Sequence, residues 1–317
     1  MNAIGVDVGG TKIAAGVVTP EGEVLAEARY PTATTTKERL LSSIARAVVE
    51  VRDGFEAGGV CLAVPGSILA VENKVIDSPN LHAIEGVHLK DEIEERTGLQ
   101  VTVENDANAA AWGEFRFGAG SEIDHLVFLT LGTGVGGGVI SHGVLLRGAQ
   151  GAGGELGHVT IQATGPRCNC GNRGCLEALA SGTAIERRAR EVANEKPDSA
   201  LGRLAVERKV LGEDVTELAR EGDEAALTVL EEAGTWLGIG IAGFVNIFNP
   251  QVVAVGGGVA KAGALILGSA RREVRLRARS PARDLVEVKE ATLGPESGVL
   301  GAAALARDAS GEYVLGL

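Results

Sequence analysis

No run of this sequence is long and apolar enough to span a bilayer. The strongest candidate, "WLGIGIAGFVNIFNP" from Trp236, stops early and carries two asparagines, where a spanning helix needs about 20 mostly apolar residues. A basic leader is also missing, because "MNAIGVDVGG" runs straight into a strand pattern. Positive charge is in short supply. The 30 Lys and Arg face 42 Asp and Glu, a formal net charge of -12, which repels a phosphate backbone and argues against a nucleic-acid partner. The densest basic run, "RREVRLRARSPAR" from Arg271, has the spacing of a solvated helix face. Low-complexity linkers are lacking, so any hinge is short. These absences point to a globular chain of the cytoplasm with no membrane partner. Its 317 residues, 45% of them hydrophobic, suffice for one large domain or two ordinary ones.

Aromatics are scarce at 3%, but glycine is abundant at 46 residues. A glycine excess without a collagen period implies tight turns and close approaches of backbone to ligand. The first half alternates strand and helix patterns. "AIGVDV" reads as a buried strand, "GGTK" as a turn and "IAAGVV" as the returning strand. "GEVLAEARY" continues the sheet. "KERLLSSIARAVVEV" has helical spacing, "GVCLAV" is another strand, and "HLKDEIEERTG" is a short helix closed by glycine. "QVTVEND" and "ANAAAWGEFRFG" follow as strand and helix.

The opening unit then repeats. "HLVFLTLGTGVGGGVI" has the same strand, polar residue, glycine turn and second strand, with Thr130 on Asp7 and Gly132 on Gly9. Two such units imply a duplicated domain with a cleft between the copies; two ordinary hairpins are the plainer alternative. Beyond it, helices are expected near 177–195, 214–221 and 223–247. "PQVVAVGGGVA" is a strand entering glycines and then a helix, "LVEVKEA" is a strand, and "SGVLGAAALAR" is a final helix.

Three glycine turns stand at strand ends. "DVGGTK" sets Asp7 before Gly9, Gly10, Thr11 and Lys12, whose backbone N–H groups, hydroxyl and cation suit a phosphate. Its spacing is not that of a Walker loop. "GTGVGGG" offers Gly132, Thr133, Gly134 and Val135. "GGG", Gly256, Gly257 and Gly258, could cradle a nucleotide near a helix N-terminus. Any one of them could be a plain hairpin. Together they favour a phosphate-handling site.

"ENDAN" closes a strand with Glu104, Asn105, Asp106 and Asn108. Asp106 suits a general base for a sugar hydroxyl, oriented by Asn105; either residue could instead cap the following helix. "GGELGHV" places Glu155 and His158 three apart in a glycine setting. "RCNCGNRGCLE" supplies Cys168, Cys170 and Cys175. With His158 they make four ligands, enough for a closed, structural zinc site. Free buried thiols and a redox pair are the other readings. Cys61 lies in an apolar strand and reads as core.

These motifs, in this order, resemble the ROK family of sugar kinases and specifically its bacterial-type glucokinases. "DVGGTK" and "GTGVGGG" resemble its two phosphate loops, "ENDAN" its catalytic segment, and "VVAVGGGVA" its adenosine-side loop. "ELGH" followed by "CNCGNRGCLE" resembles its Glu-x-Gly-His and cysteine signature. The resemblance covers essentially the whole chain. It implies an α/β, two-domain actin-like ATPase (ribonuclease H-like) fold with a cleft between duplicated halves. The domains would be 1–117, completed by a C-terminal helix at about 297–317, and 118–296 with the zinc-binding loop.

By the same resemblance Asp106 is the base, and Gly66, Asn80, Asn105, Asp106, Glu155, His158 and Glu177 hold the sugar. Zinc sits on His158, Cys168, Cys170 and Cys175. ATP and Mg2+ are the cofactors, with magnesium held near Asp7 through water. The implied reaction moves the ATP γ-phosphoryl group to the 6-hydroxyl of glucose, in a homodimer or homotetramer. Fructose, mannose or N-acetylmannosamine as acceptor, and polyphosphate as donor, are the alternatives. The loop "SPNLHAIEG" departs from many such glucokinases at His82-Ala83. A sugar-responsive repressor of the family is disfavoured, because its added DNA-binding segment has no room before Asp7.

Overall fold

The computed structural model describes residues 1–33, 36–69, 72, 74–78 and 81–309. Asn80 lies outside the described residues. The chain opens as a meander of three antiparallel strands, β1 (Asn2–Val8), β2 (Lys12–Val18) and β3 (Val24–Pro31). Helix α1 (Lys37–Arg52) then carries it back to β4 (Ala57–Val64), parallel to β1. A small ribbon of β5 (Ser67–Leu69) and β6 (Lys74–Asp77) precedes α2 (Leu89–Thr97). Strand β7 (Val101–Asn105) pairs parallel to β4 and completes the order β3-β2-β1-β4-β7. Helix α3 (Asp106–Phe117) follows without a loop.

The second half repeats the plan. Strands β8 (Leu126–Leu131), β9 (Val135–Ser141) and β10 (Val144–Leu145) come first. A helical stretch intervenes: α4 (Leu176–Ala180), α5 (Gly182–Glu195), α6 (Ala200–Glu207), α7 (Gly212–Arg220) and α8 (Glu224–Phe248). Strand β11 (Val252–Gly256), helix α9 (Ala264–Arg277), the turn-length α10 (Ala282–Leu285) and β12 (Glu287–Glu290) follow, and α11 (Ser297–Ala309) ends the described chain.

This sheet reads β10-β9-β8-β11-β12, with β8, β11 and β12 parallel. It matches the first sheet strand for strand. The loops 9–11 and 132–134 occupy equivalent places, and Asp7 and Thr130 are the last residues in register with β4 and β11. The expected duplication is therefore present in the topology.

Contacts divide the chain into two units. One contains residues 1–124, 138–154 and the segment from Thr292; the other contains 125–137 and 155–291. The core of the first shows why its pattern folds as it does. In α1, Leu40, Leu41, Ile44, Val48 and Val51 share one face and are buried. Thr36 caps that helix by accepting from the Arg39 N–H at 3.3 Å. Truncating Ile44 to Ala would cost about 2–5 kcal/mol, from lost burial plus the cavity left behind. Helix α11 lies against α3 through small residues. A Cβ on Gly301 would stand 1.7 Å from the Ala109 carbonyl oxygen, so only glycine permits this approach.

Three sequence expectations need correction. The helix expected over 177–195 is two helices. Ser181 ends α4 and caps α5, accepting from the Ala184 N–H at 3.2 Å, and a serine hydroxyl competes well for such a position. Helix α6 was not anticipated. The glycines at 256–258 lead first into a 3-10 turn, Val259–Ala262, and α9 begins only at Ala264. Of the basic run from Arg271, Arg271, Arg272, Arg275 and Arg277 are exposed on α9, with Arg272 bridging to Glu231 at 2.9 Å, while Arg279 and Arg283 lie beyond that helix. No helix among the described residues is long and apolar enough to cross a membrane.

Candidate active site

The first unit holds an acidic cluster. Strand β1 delivers Asp7 to its C-terminal end, and the hairpin loop turns at once, with the Gly9 N–H donating to the Lys12 carbonyl at 2.9 Å. Thr32, just past β3, braces this loop. Its hydroxyl donates to the Gly9 carbonyl at 2.6 Å, and its N–H donates to the Thr11 carbonyl at 3.0 Å. Burial, then the charge of Asp106, push Asp7 up to about 6, while Lys12 pulls it down. Burial also raises Asp106, opposed by its hydrogen bonds to the N–H groups of Ala107 and of its own residue. Two half-buried carboxylates, one raising the other through its charge, favour a bound cation between them.

The choice of helix cap is settled in favour of Asn105. Its Oδ1 accepts from the N–H groups of Ala107 (2.9 Å) and Asn108 (3.0 Å), and its Nδ2 donates to the Gly66 carbonyl at 3.1 Å. Asp106 is then the first residue of α3, its Oδ1 2.8 Å from the Ala107 nitrogen. Gly66 has φ +112°, and a Cβ there would lie 2.0 Å from the Asp77 carbonyl oxygen. Gly66, Asn105 and Asp106 are thus brought together with Asp7.

The second unit holds the glycine loop 132–134 and the cysteine cluster. The loop is anchored from one side by the start of α5. The Gly182 N–H donates to the Gly132 carbonyl at 2.8 Å, and the Thr183 hydroxyl donates to the Thr133 carbonyl at 2.9 Å. From the other side Glu177 accepts the Val135 N–H at 3.1 Å, while its second oxygen lies 3.4 Å from the Cys168 sulfur. Val135's amide is therefore already engaged. Gly257, with φ +88°, packs on the end of β8, where a Cβ would be 2.4 Å from the Leu131 carbonyl oxygen. Glu155 opens the 3-10 turn Leu156–His158, whose Gly157 lies flat on the Val135 backbone.

The cysteine segment folds as a knuckle. The Cys168 N–H donates to the Asn172 carbonyl at 2.8 Å, and Gly171 and Gly174 take the positive φ angles that the turns require. Single ligand atoms of His158, Cys168, Cys170 and Cys175 all lie within 4.8 Å of one another. The Cys170 and Cys175 sulfurs are 3.8 Å apart, and the His158 Nδ1 is 3.7 Å from the Cys168 sulfur. Tetrahedral zinc with Zn–S near 2.3 Å would set neighbouring sulfurs about 3.8 Å apart, so this donor set fits that ion. None of the cysteines is disulfide-bonded. Cys61 is buried in β4, where burial pushes its thiol up to about 12, as suits an inert core residue.

Glu104, Arg147, Thr32 and Thr183 carried no expectation from sequence. Glu104 stood inside a recognised motif, but its partner Arg147 is 43 residues away, and no local pattern connects them.

A model of the ROK family matches residues 3–309. The chain belongs to the ROK family. A glucokinase of Thermotoga maritima is 42% identical to this ROK chain over 313 residues, 98% of this chain and 99% of its own. The crystal structure of a ROK family glucokinase from Streptomyces griseus in complex with glucose and AMPPNP is 40% identical. It superposes with a TM-score of 0.84, over 97% of this chain and 100% of its own. A xylose repressor of Bacillus subtilis is 32% identical over 86% of this chain but only 67% of the repressor. The two matching sheets are those of the actin-like, ribonuclease H-like ATPase fold of these ROK proteins.

Proposed function

We infer that the chain is an ATP-dependent glucokinase, forming glucose 6-phosphate and ADP. The observation that carries this is the Asp106 corner. It sets a half-buried carboxylate, raised above the usual aspartate range, on the first turn of α3 beside Asp7 and a braced glycine hairpin. The near-complete alignment with the Thermotoga glucokinase, and the likeness to a glucokinase holding glucose and an ATP analogue, support glucose and ATP as the substrates.

In this reading Asp106 accepts the proton of the glucose 6-hydroxyl as that oxygen bonds to the γ-phosphorus and the bond to ADP breaks. A carboxylate raised above the usual aspartate range is better matched to that task near neutral pH. Asn105, Gly66, Glu155, His158, Glu177 and Asn80 are assigned to the sugar hydroxyls. Gly9, Gly10, Thr11 and Lys12, with Gly132, Thr133 and Gly134, are assigned to the phosphates, and Gly256, Gly257 and Gly258 to the adenosine side; Val135, expected among the phosphate contacts, gives its amide to Glu177 instead.

Asp7 would hold magnesium through water, and the ion would offset charge on the phosphates. The unfavourable pairing of Asp7 with Asp106 is what such a cation relieves. His158, Cys168, Cys170 and Cys175 would hold zinc, which supplies a rigid clamp on the turn from which Glu177 starts. The reading places a homodimer or homotetramer in the cytoplasm.

The test is a coupled ADP-release assay over a panel of sugars, with ATP or polyphosphate as donor. Preferred turnover of glucose with ATP is expected. Equal rates on fructose, mannose or N-acetylmannosamine would defeat the glucose assignment, and a polyphosphate preference would defeat the donor.

A further inference from the structure

Beneath the Asn105–Asp106 corner lies a buried charge that the reaction does not use. Glu104 is 7% exposed and stands directly before Asn105 at the end of β7. Its Oε1 accepts from the Asn105 N–H at 3.0 Å and from the Asn108 side-chain amide at 3.0 Å. Its Oε2 receives the Arg147 Nε at 2.6 Å. A carboxylate taken out of water is costly unless paired and hydrogen-bonded, and here three donors converge on it. The convergence has a cost of its own. Asn108 is 1% exposed and its Oδ1 has no hydrogen-bond partner, so its amide serves Glu104 while its acceptor goes unmet.

The donors sit at informative places. Asn105 caps α3 and binds Gly66; Asn108 is in the first turn of α3; Arg147 starts the loop after β10. The Arg147 backbone closes that loop, its carbonyl accepting from the Gly153 N–H at 2.8 Å. Glu155 follows two residues later.

We propose that Glu104, held by Arg147, is the positioning residue of the catalytic corner. It fixes the Asn105 backbone and the first turn of α3, and through them the direction of the Asp106 carboxylate. The pair also ties the corner to the loop that leads to Glu155. Charge matters here as well as shape, because an uncharged acceptor holds a guanidinium less strongly than a carboxylate does. The proposal rests on the kinase reading above. It concerns the acceptor side of the reaction and leaves the phosphate loops aside.

The experiment is a double-mutant cycle of Glu104→Gln, Arg147→Met and the pair together, with wild type assayed alongside on glucose and ATP. Each single variant should lower kcat about 10- to 100-fold, the scale of a small misplacement of a reacting group. The KM for glucose should rise while the KM for ATP stays within about twofold. Removing both partners should cost less than the product of the single losses, because the pair acts as a unit. Melting temperatures are read in parallel, and Arg147→Met, on a surface loop, keeps the test open if Glu104→Gln folds poorly. A purely structural ion pair would lower the melting temperature and leave the kcat of folded enzyme unchanged. That result, equal changes in both KM values, or multiplicative single effects would overturn the proposal. An inactive wild type would count against the glucokinase reading instead.

Discussion

The two copies of the sheet share one backbone plan and differ in charge. At the end of β1 stands Asp7, raised to about 6 by burial and by Asp106. At the matching end of β8 stands Thr130, which carries no charge. The loop after β1 is braced by backbone and by one threonine, Thr32. The loop after β8 is braced from α5 by Gly182 and Thr183, and by Glu177 beside the cysteine knuckle. Duplication kept the hairpin that offers backbone N–H groups. The copies then differ: one carries the carboxylates to which the kinase reading assigns proton chemistry, and the other a brace next to a cluster of metal-ligand atoms.

The harshest way to break the comparison is to remove the carboxylate proposed as the base. Asp106→Ala should leave glucose binding nearly intact and lower kcat by about 10²–10⁴-fold, the usual contribution of a positioned general base. Steady-state kinetics with isothermal titration of glucose would check this, and near-normal turnover would refute the role. Next comes the brace of the second copy. Chelation, or Cys168→Ser, should release about one zinc per chain by elemental analysis. It should also weaken glucose binding about 10- to 100-fold, the scale seen when a metal's supports are lost. A folded, fully active protein without metal would show that the knuckle holds itself.

Asp7 tests the electrostatic difference with an unusual sign. A carboxyl whose folded value rises from 3.8 to about 6 binds its proton more tightly in the native state than in the unfolded one. Stability contributed by that proton is fully present below 3.8 and is lost as pH climbs through 6. Ionised Asp7 therefore costs the fold ~3 kcal/mol at neutral pH, since each unit is worth about 1.36 kcal/mol. Asp7→Asn should lower activity, yet raise stability by up to that amount above pH 6, and the gain should fade toward pH 4. Denaturant unfolding across that range would show it. A neutral-pH loss of stability would mean that Asp7 is better solvated than its burial implies.

Much of this was legible in the sequence because its signals are local. Strand periodicity, the glycine turns and the Asp7/Thr130 correspondence survive unchanged in the sheets. The spacing of Cys168, Cys170 and Cys175 after His158 becomes a real cluster of donors. What could not be read was set by distance or by competition. Glu104 meets Arg147, and Glu177 meets Val135, across 43 and 42 residues of sequence. Asn105 and Asp106 are both competent helix caps, and what decides between them is that the Asn105 side chain accepts the Ala107 and Asn108 N–H groups. Ser181 splits a helix because its hydroxyl serves the next one.

The mildest change is also the sharpest control. Thr130→Ala removes a half-buried hydroxyl from the position equivalent to Asp7. If the two copies differ as argued, this substitution changes no charge and leaves the loop's anchors at Gly182, Thr183 and Glu177 untouched. Stability should then move by less than about 1 kcal/mol, as for substitutions away from caps, charges and cavities. The pH dependence of unfolding should overlay that of wild type, in contrast to Asp7→Asn. Kinetics for ATP should shift only a few-fold, because the kinase reading assigns the phosphates to loop 132–134 and not to this side chain. A loss as large as that of Asp7→Asn would mean that the second copy also works through its strand-end side chain, and the division of labour between the two hairpins would fail.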